Sequence, residues 1–135
     1  MSSDMITKPE KDFSKEADKI IPEAQSLAKE DLQKAVDKLL QLEKQTRQSS
    51  DLASTSRVLV AIVTICKDAK DWSLMNEQVL LLSKKHGQLK QAITKMVQEV
   101  MGFLDETPDM ETKLSVIEAL RTVTEGKVRS FVSSH

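Results

Sequence analysis

The sequence predicts an all-α fold: a right-handed stack of antiparallel helical hairpins, a TPR/HEAT-like α-solenoid fragment of about six helices. Three observations predict it. The 135 residues include only three Gly, three Pro and no Tyr, too few turn formers and aromatics for a sandwich or barrel, while the abundant Leu, Lys, Glu, Gln, Ala and Met favour helices. Apolar residues recur at steps of three and four along most of the chain, the spacing of one helix face. Asp31, Asp71 and Asp109 lie 40 and 38 residues apart. Each stands where a helix cap belongs and opens a pair of helices joined by short linkers, the period of helical-hairpin repeats. A compact bundle of six helices would give the same signals; the stack is the preferred reading. A chain of this length suits one small domain burying roughly two-thirds of the surface its unfolded form exposes.

Residues 1–11 mix charge, Ser and Pro without a helical stripe and read as a mobile N-terminal tail ahead of a helical-repeat domain at 12–127. Ile20-Ile21-Pro22 opens a first short helix through Leu27 and Ala28, with Pro22 in its first turn, where no amide donor is needed. Asp31 caps a second helix whose apolar positions Leu32, Val36, Leu39 and Leu40 share one face, running to about Arg47. After the polar break Gln48-Ser49-Ser50-Asp51, Ser54, Thr55 or Ser56 can cap the most apolar helix, from Val58 to Cys66. A helix greasy on most sides must be covered on most sides, so Val60, Ile62, Val63 and Ile65 are expected in the core. The same β-branched run would suit a buried strand, but a single strand leaves its backbone unpaired.

Asp71 caps a fourth helix through Leu74, Met75, Val79, Leu81 and Leu82, stopping near Gly87, which tolerates a left-handed C-terminal turn. Trp72 at its start suits a wedge between helices better than a partner anchor, and Met75, Met96 and Met101 suit adaptable core filling. Leu89, Ala92, Ile93, Met96, Val97, Val100 and Leu104 form the cleanest stripe, a fifth helix. Thr107-Pro108-Asp109 starts a sixth carrying Leu114, Ile117, Leu120 and Val123, with Gly126 near its end; beyond Lys127 the pattern fades.

Twenty Lys/Arg against twenty-one Asp/Glu give a formal charge of −1, so no net field favours nucleic acid, an anionic membrane or an acidic substrate. Cys66 is the single cysteine; an intramolecular disulfide is impossible and a reducing, intracellular setting is expected. The longest apolar run, Val58 to Val63, is far below the roughly 18 residues of a bilayer span, and the polar N-terminus has no signal-peptide core. Cys66 sits in the greasiest helix, where a thiol is inert. His86 and His135 are the only imidazoles, which leaves no triad, no metal-ligand signature and no catalytic or cofactor-binding residue to nominate. Gly87, Gly102 and Gly126 follow no phosphate-loop spacing. The basic cluster Lys84-Lys85-His86 with Lys90 and Lys95 lacks interleaved aromatics for nucleic acid and reads first as a solvated helix end; Lys84, Lys85 and Lys90 are the candidate partner-binding residues.

Two long strings carry a resemblance: Leu42-Glu43-Lys44-Gln45-Thr46-Arg47-Gln48-Ser49-Ser50-Asp51-Leu52-Ala53-Ser54-Thr55-Ser56-Arg57, and Leu81-Leu82-Ser83-Lys84-Lys85-His86-Gly87-Gln88-Leu89-Lys90. In this order they resemble the N-terminal region of the fifth non-ATPase lid subunits of the proteasome regulatory particle, members of the PCI family. The similarity continues through Val123-Thr124-Glu125-Gly126-Lys127 and covers roughly residues 21–127. It implies a non-catalytic scaffold, a curved stack of hairpins that precedes a winged-helix PCI domain and a C-terminal helix joining the lid. Residues 128–135 depart from the family and are expected to be a non-family tail. The resemblance further implies other lid and regulatory-particle subunits as partners, the core particle as a further candidate, a place in ubiquitin-dependent degradation, and a cytoplasmic and nuclear location. It brings no cofactor, nucleic-acid, membrane or small-molecule substrate. The alternative is a module that recruits a regulatory or localisation factor, or a related PCI complex such as the signalosome.

Overall fold

The computed structural model describes the backbone of residues 12–132 and the side chains of residues 12–125; the expected tail at 1–11 lies outside the described residues. Among these the chain forms six α-helices and no strand: α1 (Ser14–Leu27), α2 (Leu32–Gln48), α3 (Leu52–Asp68), α4 (Trp72–Ser83), α5 (Lys90–Gly102) and α6 (Met110–Val132), with a 3-10 turn at Leu104–Glu106. The all-α expectation stands, and the β-branched run of α3 is helical.

Local chemistry sets the boundaries. Asp31, Asp71 and Asp109 accept from the N–H groups of Lys34, Leu74 and Thr112, satisfying donors that a helix start leaves orphaned. Asp51 does the same for Ser54, which corrects the expectation that Ser54, Thr55 or Ser56 would cap α3: the helix begins one turn earlier, and Ser54 and Thr55 are buried inside it. Ser50 and Lys70, just before Asp51 and Asp71, hold φ of 56° and 59°. The Asp51 and Asp71 N–H groups donate back to the Thr46 and Cys66 carbonyls, and those of Ser50 and Lys70 to Arg47 and Lys67. Each link is thus a left-handed C-terminal turn followed at once by an Asp cap, the shortest way to reverse a helix. Gly87 also adopts a left-handed φ, +75°, although α4 has already ended at Ser83.

Two helix ends differ from expectation. α1 starts at Ser14, so Pro22 lies in its interior and not in its first turn; it cannot supply the N–H that the helix would aim at the Asp18 carbonyl. What holds the extra turns is tertiary: Phe13 is buried, its N–H donates to Asp51 Oδ2 at 2.8 Å, and Ala17 and Ala24 are fully buried against the stack. At the other end α6 runs past Lys127 to Val132, because a single Gly within a helix costs about 1 kcal/mol relative to Ala and does not by itself stop it.

The helices pack in two layers. α3 packs on α1 and α5 in one layer and on α2 and α4 in the other, while α6 lies against α4. α3 is therefore covered on most sides, as its composition requires: Val58, Leu59, Ile62, Val63, Ile65 and Cys66 are buried, and Val60, expected in the core, is half-buried on its open side. Trp72, Met75 and Met96 are core residues, but Met101 is 56% exposed. In α6 the buried stripe is Val116, Ala119, Leu120 and Val123; Leu114 is 56% exposed and Ile117 half-buried, since at about 100° per residue Leu114 falls on the far side of the helix from Val116 and Val123.

Side-chain ties separate a stack from a bundle. Asp18–Arg57, Arg47–His86, Lys67–Glu106 and Asn76–Ser115 are hydrogen-bonded pairs, each spanning 39 residues. Equivalent positions of successive hairpins therefore meet in constant register, the arrangement of stacked repeats.

Two outcomes are expected in urea unfolding. Ile62→Ala costs about 2–4 kcal/mol and Val60→Ala less than about half that; equal losses would contradict the placement of Val60. Lys70→Gly raises stability by about 0.5–1 kcal/mol by removing a side chain from a left-handed position, and a lower midpoint would refute this account of the turn.

Candidate partner-binding site

The two strings that carry the resemblance meet in space. Residue 43 continues the inward stripe of α2 set by Val36 and Leu39, so its carboxylate is delivered into the interior, and Glu43 is fully buried. An uncompensated buried charge is costly, and the link between α4 and α5 supplies the answer. Glu43 Oε2 accepts from Arg47 Nε at 3.0 Å and from Gln88 Nε2 at 3.0 Å. Oε1 has no hydrogen-bond partner, but Lys85 Nζ lies 3.7 Å away as an ion pair. Arg47 Nη1 donates to the His86 carbonyl at 2.8 Å, while Gln88 Nε2 also donates to the Leu82 carbonyl and Gln88 Oε1 accepts the Leu89 N–H. The segment from Lys84 to Leu89 is thereby fastened to a helix of the preceding hairpin.

Beside this network Thr55 Oγ1 donates to Thr46 Oγ1, and Asp51, only 4% exposed, uses its two oxygens to hold the N–H groups of Phe13 and Ser54. The α2–α3 turn thus grips both the start of α1 and the α4–α5 link.

The three candidate lysines come to one end of the molecule in different roles. Lys84, directly after α4, and Lys90, the first residue of α5, are exposed; Lys85 is half-buried and its ammonium faces Glu43. His86 is exposed, and its carbonyl, not its ring, makes the structural contact. Exposed Lys44 on α2 belongs to the same α2 string. Glu43, Arg47 and Gln88 were not anticipated, yet a signal for Glu43 was present: the 36–39–43–46 series keeps helical spacing through a charged residue, the mark of a carboxylate that must find buried partners.

Burial pushes the Cys66 thiol up to about 12, with the Asp71 charge adding to the rise. Among the described residues no group of three or more His, Cys, Asp or Glu is placed to hold a metal ion, and no helix is long and apolar enough to cross a membrane.

Comparison with known proteins fits this picture. Residues 34–131 match the family model described as PSMD12/CSN4, N-terminal. The chain is 48% identical over 130 residues to the 26S proteasome regulatory subunit RPN5 of Saccharomyces cerevisiae, covering 95% of this chain and 29% of that protein. It is 48% identical over 97 residues to the 26S proteasome non-ATPase regulatory subunit 12 homolog A of Arabidopsis thaliana, covering 72% and 22%. With the 26S proteasome regulatory subunit rpn501 of Schizosaccharomyces pombe it shares 42% identity over 124 residues, covering 92% and 28%. The chain spans less than a third of the length of these relatives.

Arg47→Ala, which strips Glu43 of its best-placed partner, is expected to cost about 3 kcal/mol in chemical denaturation; a loss no larger than that of an exposed lysine would contradict the network. Cys66 should resist a thiol reagent at mildly alkaline pH until the chain unfolds, so prompt stoichiometric labelling of the folded protein would show the thiol to be accessible.

Proposed function

Because the chain belongs to the PSMD12/CSN4 N-terminal family, we propose that it is a non-catalytic scaffold segment of a proteasome regulatory-particle lid subunit. It contributes to assembly and subunit contacts in ubiquitin-dependent protein degradation. The observation that carries the reading is the fastening of the α4–α5 link onto α2 through Glu43, Arg47 and Gln88. Such a link holds its exposed cations, Lys84 and Lys90, in fixed positions at the end of a rigid stack, so a partner pays little ordering entropy to engage them. Lys85 contributes by keeping the link closed rather than by reaching outward. Other lid and regulatory-particle subunits are the proposed partners, with the core particle a further one, and the proposed location is cytoplasmic and nuclear. The joint family name, PSMD12 and CSN4, favours a second reading in which the same stack recruits a regulatory factor or a related PCI complex.

The test places this chain in yeast RPN5 in exchange for its matching segment and identifies the proteins that co-purify. The unaltered chimera should retain lid subunits, and Lys84→Glu with Lys90→Glu should lower their recovery roughly fivefold without lowering the melting temperature. Undiminished recovery would remove these lysines from the interface, and loss of some other protein alone would favour recruitment.

A further inference from the structure

A groove of about 520 Å³ lies between α3 and α5, its α5 side beginning just past the α4–α5 link. α3 contributes Leu52, Ala53 and Arg57 from its first two turns, and α5 contributes Gln91, Lys95 and Gln98. The gap exists because α3 offers a small side chain, Ala53, where the parallel helix α5 presents long polar ones. No carboxylate lines it, whereas Arg57 and Lys95 both do. One Arg57 nitrogen is held by Asp18 of α1 at 2.8 Å. A guanidinium carries five N–H donors, so this surface tie leaves donors for a second acceptor. Gln91 and Gln98 bring amide donors and acceptors of the kind that match an extended peptide backbone. Both helices also begin here, since Leu52 and Ala53 open α3 and Gln91 is the second residue of α5. Asp51 answers the positive end of α3, but α5 starts without a side-chain cap, so its end of the groove keeps the partial positive charge of a helix N-terminus.

We propose that this groove is a docking site for an acidic peptide segment, one apolar side chain seated beside Leu52 and Ala53 and carboxylates on either side of it paired with Arg57 and Lys95. The volume is that of a small-ligand pocket, enough for one anchor side chain and its adjoining backbone. The lining has no aromatic ring on which a nucleobase could stack, which favours a peptide over a nucleic acid. Groove binding and lid assembly are read by separate measurements, so the failure of one leaves the other standing.

The experiment uses the chain as it is, with a fluorescein-labelled peptide of core Glu-Glu-Leu-Glu-Glu and its Lys-Lys-Leu-Lys-Lys counterpart, followed by anisotropy and amide chemical-shift mapping. The acidic peptide should bind saturably, with shifts centred on Leu52, Ala53, Gln91 and Gln98. Lys95→Glu, at an exposed position of α5, should weaken it about fivefold, and Ala53→Trp should fill the groove and abolish it while the helical spectrum is unchanged. Absence of saturable binding, equal affinity for the basic peptide or for a single-stranded oligonucleotide, or shifts centred on Lys84 and Lys85 would each overturn the proposal.

Discussion

Glu43 puts a carboxylate where water does not reach, and the arrangement around the α2–α3 turn answers that charge. Arg47 and Gln88 supply hydrogen bonds and Lys85 supplies a counter-charge, two of the three from a segment more than forty residues further along the chain. A buried ionic group is a weak source of net stability, since desolvation offsets much of its attraction. Its value lies in selection: with Glu43 buried, the α4–α5 link is satisfied only in the one position where its cation and amide can meet the acid. Asp51 repeats the device eight residues on, holding Phe13 and Ser54 with one side chain. Apolar burial drives the stack together, and these two acids decide how its parts are aligned.

Much of the fold was legible because its signals are local. Asp31, Asp71 and Asp109 are caps in the sequence and in the structure, and the α5 stripe is buried as its spacing requires. Less local features were misread. The choice among Asp51, Ser54, Thr55 and Ser56 as the cap of α3 could not be made from residue type, since all four can cap; the left-handed turn at Ser50 decides it. Pro22 marks a helix start by ordinary rules, but the burial of Phe13, Ala17 and Ala24 outweighs its missing donor. Leu114 is exposed because the expected series 114–117–120–123 advances only by threes, so it drifts by about 60° at each step around the helix and its first member ends up opposite the buried Val123. The candidate site was half legible. A basic cluster shows in the sequence, but that Lys85 turns inward depends on Glu43, forty-two positions away.

The family assignment and the physical reading agree on what kind of object this is. Several residues of the two strings that carry the resemblance, Glu43, Arg47 and Gln88 among them, hold the α2–α3 turn against the α4–α5 link, so part of the resemblance lies in architecture. The one cysteine is buried in the last turn of α3, and among the buried polar groups Glu43, Thr46 and Asp51 tie neighbouring segments together. The exposed helix ends and grooves take their geometry from the stack beneath them.

The constant 39-residue span of the cross-hairpin ties has a consequence for how such a chain can change in length. Each tie is a rung between neighbouring hairpins, and a residue inserted within a helix would rotate every position beyond it by about 100°, carrying its half of the rung off the shared face. Length can therefore vary freely only outside the rungs, or by whole hairpins at once. The ladder behaves as an assembly of interchangeable units whose spacing is policed by a few polar contacts.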